Sequence, residues 1–121
     1  MLLEKEFEYR GLKCEVKIND NIGFRCGYVI LPENHPFISE DYNDLNIDCH
    51  GGLTYKEGRV VGFDCGHYGD GIDIDLISNE DIRESQIKIK SMIPAMDYEV
   101  RSLEFVEQEC MKIVDQVLEV M

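Results

Sequence analysis

Residues whose side chains can bind ligands or take part in catalysis are concentrated in the segment from Arg25 to Gly71. This segment holds all three histidines, three of the five cysteines and most of the ten glycines of the chain. Glycines beside polar side chains let a backbone approach a ligand closely and offer it N–H groups, and they also serve ordinary turns. We therefore predict that the functional centre lies between Arg25 and Asp70.

A metal site is the first hypothesis for this segment. The metal-binding residue types in it are Asp48, Cys49, His50, Asp64, Cys65 and His67. Adjacent strands can bring two such groups together, but neither Cys49-His50 nor Cys65-Gly66-His67 has the spacing of three or four residues that places two ligands on one ion easily. The sequence therefore favours buried thiols and hydrogen-bonded histidines, and we predict neither a bound metal nor another cofactor.

Nucleophilic catalysis by a cysteine is the second hypothesis, with Cys65 and either His50 or His67 as the pair. A reactive thiolate needs a positive neighbourhood, and the nearby acids Asp64 and Asp70 oppose one. We therefore predict that the protein is not an enzyme and has no catalytic residues. A small metal- or cysteine-dependent enzyme that uses His50, Asp64, Cys65 and His67 is the alternative.

A pocket for a small polar ligand is the third hypothesis. Arg25 and Arg101 would supply charge-assisted hydrogen bonds, an aromatic ring would supply a stacking face, and histidines and aspartates would bind hydroxyl groups. Arg101 also fits a position on a helix surface, where it would pair with nearby glutamates. The predicted ligand contacts are Arg25, Tyr28, His50, Gly51, Gly52, Phe63, Asp64, His67, Tyr68, Asp70 and Arg101.

Alternating apolar and polar residues predict a sheet that positions these side chains. In residues 1–20 the alternation runs on both sides of Gly11, which predicts a hairpin with glutamates facing lysines. A third strand, residues 22–31, contains Gly23 and Gly27, which indicate a bulge or the close approach of another group. Shorter strands are expected at residues 53–55 and 59–63, joined by a turn at 56–58. Residues 72–76 alternate in the same way.

The clearest helical pattern lies at the C-terminal end. Apolar residues recur there at spacings of three and four, at Leu103, Val106, Cys110, Ile113, Val117 and Val120. Asp97 is the expected N-cap and Pro94 an upstream breaker, so the helix is predicted from about Tyr98 to Val120. Residues 79–90 are ambiguous, and we expect a short helix followed by an extended piece at residues 87–90.

These elements predict an α+β fold in a single domain of residues 1–121. An antiparallel sheet of about five to six strands is expected to pack against the long C-terminal helix, with a second short helix. The parts are the hairpin (1–20), the sheet that carries the motifs (22–77) and the C-terminal helix (97–120).

The chain is strongly acidic, with 25 acidic against 12 basic residues and a formal net charge of −13. Such a charge repels nucleic acids and anionic membranes, although a pocket with two or three arginines can still bind a small anion. The first ten residues lack the apolar region of a secretory signal, and no stretch approaches the roughly 18 apolar residues of a membrane span. We therefore expect a cytosolic protein with reduced thiols and with no nucleic-acid or membrane partner.

Five motifs of the chain resemble those of a set of small phage and prophage proteins. They are Arg25 to Val29, His35-Pro36, His50 to Tyr55, Gly62 to Asp70 and Arg101 to Cys110, and the similarity covers roughly residues 22–118. The family that the chain resembles is the Thoeris anti-defence one proteins. These bind glycocyclic ADP-ribose signals without cleaving them and form dimers or larger oligomers, and some members also hold cyclic trinucleotides.

The resemblance implies that the chain sequesters a small nucleotide immune signal in the host cytoplasm, as a homodimer or a higher homo-oligomer. Carried over to this sequence, Phe63 or Tyr68 would stack on the base, while Arg25 and Arg101 would bind phosphates. The acidic net charge departs from such a role. A phage structural or interaction protein without a ligand is a further alternative.

Overall fold

The computed structural model describes residues 1–67, 69–92 and 98–120. Over these residues the strands are β1 (Leu2–Tyr9), β2 (Leu12–Asn19), β3 (Phe24–Ile30), β4 (Tyr55–Glu57) and β5 (Val60–Asp64), and the α-helices are α1 (Glu80–Met92) and α2 (Leu103–Glu119). The strands form one antiparallel sheet in the order β1-β2-β3-β5-β4. The predicted α+β class, the antiparallel sheet and the C-terminal helix are therefore confirmed.

The N-terminal hairpin forms as its alternation predicts. Arg10 and Gly11 both have positive φ, 52° and 86°, which is the conformation of a two-residue turn matched to the twist of the two strands. Glu8 lies opposite Lys13, while Glu6 lies opposite Glu15 and instead receives Lys13 Nζ diagonally at 3.2 Å. The expected pairing of glutamates opposite lysines is therefore found directly only at Glu8, and the register shift between Leu3 and Lys5 leaves Lys17 opposite Leu3.

Helix α2 packs its apolar stripe against β2 and β3. The side chains that the stripe buries are Val106, Cys110, Ile113, Val114 and Val117. Val120 follows the last turn and is exposed. Because the spacing of three and four residues keeps these groups on one side of the helix, their burial against the sheet forms the main core.

Helix α2 begins later than the sequence predicts. Ser102 is its N-cap, and the Ser102 hydroxyl accepts a hydrogen bond from the backbone N–H of Phe105 at 3.1 Å. Residues 98–101 are not helical. The predicted cap Asp97 and the breaker Pro94 lie outside the described residues.

Two segments that the sequence suggested as extended are not strands. Helix α1 continues through residues 87–90. The Asn79 side chain caps the start of the helix. In the described parts, residues 87–90 do not pair with a strand of the sheet. Residues 72–76 instead form a single 3₁₀ turn, Ile74–Leu76, in which the Asp73 carboxylate accepts the backbone N–H of Asp75 at 3.1 Å. A local side-chain bond thus replaces the pairing that alternation suggested.

Two strand boundaries also differ from the prediction. Strand β3 begins at Phe24 because Gly23, with φ of 98°, belongs to the preceding turn. Strand β4 begins at Tyr55, and the turn to β5 lies at residues 58–59, where Gly58 has φ of 59°. The positive φ at each glycine sets the boundary.

Gly27 of β3 lies beneath α2, next to Cys110 and Phe63. A Cβ added to Gly27 would overlap the Phe63 ring and would lie 2.8 Å from Cys110 Sγ. Both of those side chains are fully buried. Gly27 therefore provides the close approach that its position in a strand suggested, and a strand glycine lets helix and ring share one space.

We expect Gly27→Ala to lower the free energy of unfolding by about 1–3 kcal/mol, because the added methyl group overpacks the core. Urea denaturation measures this change. Phe63→Leu is the control, since removal of ring atoms makes room for the methyl group. The double variant should lose less stability than the sum of the two single losses, and a Gly27→Ala protein as stable as the parent would contradict the packing described.

Candidate functional site

Three segments bring polar side chains together where β3 begins and β5 ends. The loop of residues 48–53 carries His50, residues 65–71 carry His67 and Asp70, and residues 98–102 carry Arg101. The last two segments join through a parallel bridge, in which Gly71 N donates to the Glu99 carbonyl at 2.7 Å.

The Asp70 carboxylate is the centre of this group, and its side chain is 2% exposed. Arg101 Nε donates to Oδ1 at 2.9 Å, and the backbone N–H of His67 donates to Oδ2 at 3.1 Å. His50 Nε2 lies 2.9 Å from Oδ1 and 3.0 Å from Oδ2. One buried carboxylate thus binds groups from all three segments.

The charge of Asp70 is stabilised where it lies. Burial alone raises the pKa of the Asp70 carboxyl, but hydrogen bonds from His50, from Arg101 and from the His67 backbone outweigh it, so the pKa lies below its usual value. The hydrogen bond between Arg101 and Asp70 raises the pKa of Arg101. Asp70 and Arg101 therefore form an ion pair throughout the neutral range.

His67 has a ring nitrogen that its surroundings do not satisfy. Among the described residues, its Nδ1 atom is buried and has no hydrogen-bond partner. It faces Asp64 Oδ1 at 3.6 Å and Asp70 Oδ2 at 3.7 Å, both too long for direct hydrogen bonds. The His67 ring packs against Gly51, and a Cβ added to Gly51 would lie 2.6 Å from Nδ1 of His67.

His50 is held on two sides. Its backbone N–H donates to Glu109 Oε1 of α2 at 2.7 Å. Its ring lies edge-on to Phe105, with centroids 5.2 Å apart, and to His67, with centroids 5.9 Å apart. Helix α2 therefore positions both the backbone and the ring of His50.

The two arginines meet beside this group. Arg25 binds Glu4 of β1 through two bonds, at 2.7 and 3.1 Å, and its Nη1 donates to the Arg101 carbonyl at 3.0 Å. Arg101 lies over the Phe105 ring, 5.0 Å from its centroid, and its Nη1 donates to Glu99 at 3.0 Å. Each guanidinium thus already has carboxylate partners.

Both arginines line a cleft that holds about 160 Å³ of empty space, part of it open to solvent. Its walls also include Phe24, Cys65 and Val100, together with Asp73 and Leu76 from the 3₁₀ turn. The lining combines charged and apolar side chains, and because the cleft has no room for a water molecule, a ligand group would enter it only after side chains move.

The structure brings most of the predicted contact residues together. Those that meet at the site are Arg25, His50, Gly51, Asp64, His67, Asp70 and Arg101. Asp64 binds the Thr54 hydroxyl and the Gly66 N–H, so it borders the site through Oδ1. A Cβ added to Gly52 would contact nothing within 4 Å, and Tyr68 lies outside the described residues.

Two predicted aromatic contacts lie elsewhere. Phe63 is 1% exposed and packs in the core under α2, so its ring offers no face to a ligand. Tyr28 follows Gly27, which faces α2, and therefore points to the opposite face of the sheet, where it lies edge-on to Tyr55. Both are separated from the cleft.

Sequence reasoning missed Glu4, Glu99 and Phe105. Glu4 is one of the polar residues of the predicted hairpin. It contacts Arg25 across the intervening strand β2. Phe105 stands four residues after Arg101, and in the predicted helix, which began at Tyr98, this spacing would have placed the two side chains on one face and so could have identified it.

The cysteines do not fit a nucleophilic role. All five thiols are free and buried. Burial raises the pKa of Cys49 to about 11 and that of Cys65 to about 12, and in both cases nearby carboxylates add to the effect. Reactive thiolates need the opposite surroundings.

Comparisons of the chain with protein-family models, with curated proteins and with solved structures found no match. In the described parts of the chain, neither α-helix combines the length and the apolar character that crossing a membrane requires.

We expect the thiols of the native protein to react slowly with Ellman's reagent at pH 8. With a pKa of about 12, only about one Cys65 in ten thousand is ionised at that pH. The matched control is the protein in guanidinium chloride, where all five thiols should react promptly. Rapid modification of Cys65 in the native protein would contradict this description and restore the cysteine-dependent alternative.

Proposed function

We propose that the protein is a non-catalytic binding protein that sequesters a small nucleotide immune signal of the glycocyclic ADP-ribose type in the host cytoplasm, and so counters antiviral defence. The observation that carries this proposal is the meeting of Arg25 and Arg101 at one cleft. These two arginines are the phosphate partners that the resemblance to Thoeris anti-defence one proteins implies.

Of the two arginines, Arg101 is the one that exchanges a carboxylate partner, Glu99, for a ligand phosphate. Its bond to Glu99 joins it to a carboxylate whose side chain is 74% exposed, and such pairs contribute little because water screens them. Arg25 and Glu4 are only 12% and 19% exposed, so their two-bond pair persists. A ligand phosphate therefore replaces Glu99 at Nη1 of Arg101, while Asp70 continues to hold Nε.

The ring that stacks on a ligand base has to lie beside the cleft. Phe63 is buried and Tyr28 is on the other face, whereas the His67 side chain is 35% exposed. We assign the stacking role to His67, because its imidazole ring is partly exposed and offers a flat face to a base.

A single chain encloses only part of a dinucleotide. In this conformation the cleft has no room for even a water molecule, whereas ligand pockets typically hold roughly 300–1,000 Å³. Leu2 lies opposite Ile18, which lies opposite Arg25, so the exposed Met1, Leu2 and Leu3 are at the same end of the sheet as the cleft. This apolar group supports a homodimer or larger oligomer in which a second copy completes the pocket.

Recovery of the ligand tests sequestration. Protein incubated with glycocyclic ADP-ribose, separated from free ligand and then heated should release the ligand chemically unaltered and in near-stoichiometric amount. Mass spectrometry identifies the released molecule. No retention at micromolar protein would reject the proposal, and release of a cleaved product would replace sequestration by catalysis.

Substitutions at Arg101 and Glu99 should shift the affinity in opposite directions. Loss of a charge-assisted bond in Arg101→Gln should weaken binding about 10- to 100-fold. Glu99→Gln should tighten binding by up to about fivefold, because it removes a competing carboxylate from an exposed position. Isothermal titration measures both.

The matched control for these variants is Arg10→Gln. Arg10 pairs with Asp115 at 2.9 Å on an exposed surface, at the hairpin turn. The ligand affinity of Arg10→Gln should stay within twofold of that of the parent protein. Equal weakening in Arg10→Gln and Arg101→Gln would show that net charge, and not the cleft, determines binding.

A further inference from the structure

Three side chains of metal-ligand type converge within the site. His50, His67 and Asp70 each offer one ligand atom, and these atoms all lie within 4.8 Å of one another. His50 comes from the loop of residues 48–53, and the other two come from residues 65–71. The packing of these two loops therefore creates a group that the spacing of ligand types along the chain did not indicate.

The separations between these atoms suit one small cation. His50 Nε2 lies 3.0 Å from Asp70 Oδ2, and His67 Nδ1 lies 3.7 Å from the same oxygen. With metal–ligand bonds of about 2.1 Å, the ligand atoms of a tetrahedral centre lie about 3.4 Å apart. These two distances bracket that value, and the two histidine ligand atoms lie within 4.8 Å of each other, so side-chain movements of about 1 Å would bring all three atoms around one ion.

The second observation is the state of His67 Nδ1. In the described parts of the chain, this atom is buried and lacks a hydrogen bond, although it faces carboxylate oxygens of Asp64 and Asp70. A buried polar atom without a partner is costly and calls for an explanation. A cation bound to Nδ1 and to Asp70 Oδ2 supplies the missing partner.

We propose that His50, His67 and Asp70 form a binding site for one divalent cation of the zinc type, with its fourth position open to water or to a ligand. Two imidazole nitrogens and one carboxylate are the ligand set of many open zinc sites. Magnesium and calcium prefer oxygen ligands, so the two histidines select against them. Cys65, which the sequence suggested as a ligand, is not part of the group.

Binding requires one proton to leave Nε2 of His50. His50 Nε2 cannot donate a proton to Asp70 and give its lone pair to a metal at the same time, so the proton leaves Nε2 for solvent and Nδ1 takes one up, which keeps the imidazole neutral as it binds the ion. Asp70 Oδ1 keeps its bond from Arg101, while Oδ2 turns to the ion. The Asp64 carboxylate, 3.6 Å from His67 Nδ1, offsets part of the added positive charge.

The metal site shares His67 and Asp70 with the nucleotide proposal, but its test needs only the chain and a metal ion. Failure of one proposal therefore leaves the other standing. Cobalt(II) serves as a spectroscopic probe in place of zinc, because its visible absorption reports both the geometry and the type of ligand.

The experiment titrates the full chain, first freed of metal with a chelator, with cobalt(II) chloride. We expect one equivalent to bind with visible bands of a four- or five-coordinate nitrogen and oxygen site, and without a sulfur-to-cobalt charge-transfer band. Zinc should displace the cobalt, and magnesium in large excess should not. Absence of binding at millimolar cobalt, or a strong sulfur band, would overturn the proposal.

Two glycine variants locate the site without removing a ligand. Gly51 and Gly52 have similar positive φ, 69° and 79°, so alanine strains the backbone to a similar degree at both. Only the methyl group at residue 51 would meet the His67 ring, since the one at residue 52 would contact nothing within 4 Å. Gly51→Ala should therefore weaken cobalt binding at least about tenfold, and Gly52→Ala should change it less than threefold.

Removal of a ligand completes the test. His67→Gln should weaken cobalt binding at least about 100-fold, with circular dichroism used to verify the fold. His67→Gln that is folded and binds as tightly as the parent would overturn the proposal. If that variant does not fold, the glycine pair decides, and equal affinities in Gly51→Ala and Gly52→Ala would overturn it.

Discussion

The arrangement of the site depends on the burial of one charge, the carboxylate of Asp70. A buried carboxylate is tolerated only when hydrogen bonds and opposite charge replace the water it loses. Here the replacements come from His50, Arg101 and the His67 backbone, which belong to three separate segments. Once Asp70 is buried, these segments must lie together, and the geometry of the site follows from that requirement.

The fold prepares the place in which this requirement can be met. Gly27 lets α2 approach the sheet, and the Ser102 cap ends the preceding extended segment just after Arg101. Helix α2 then offers Phe105 beneath Arg101 and Glu109 to the backbone of His50. A helix that serves mainly to cover the core therefore also positions two members of the site through its first two turns.

Periodicity predicted the parts of the fold whose pattern is long and one-sided. The hairpin and α2 each have a sustained repeat, and both formed, although α2 begins at Leu103 instead of Tyr98. The Ile-Lys alternation at residues 87–90 covers only four residues, and the cap at Asn79 together with the lack of a neighbouring strand edge in the described parts outweighed it. Local patterns of that length do not determine structure by themselves.

The site was predictable where its residues are close in sequence, and it was not where they meet only through the sheet. His50, His67 and Asp70 stand out as histidines and acids among glycines. Glu4 reaches Arg25 across an intervening strand, which no local pattern reveals. The interpretation of Phe63 as a ligand contact depended on which face of β5 the helix covers, and that information lies in long-range packing.

The bond between Asp70 and Arg101 joins two of the segments of the site, and a double-mutant cycle measures its strength most directly. The free energies of unfolding of Asp70→Asn, of Arg101→Gln and of the double variant are compared with the parent, in buffer that contains a chelator. We expect a coupling of about 1–3 kcal/mol, because removal of either partner leaves the other with an unmatched charge. Additive losses, within about 0.5 kcal/mol, would contradict it.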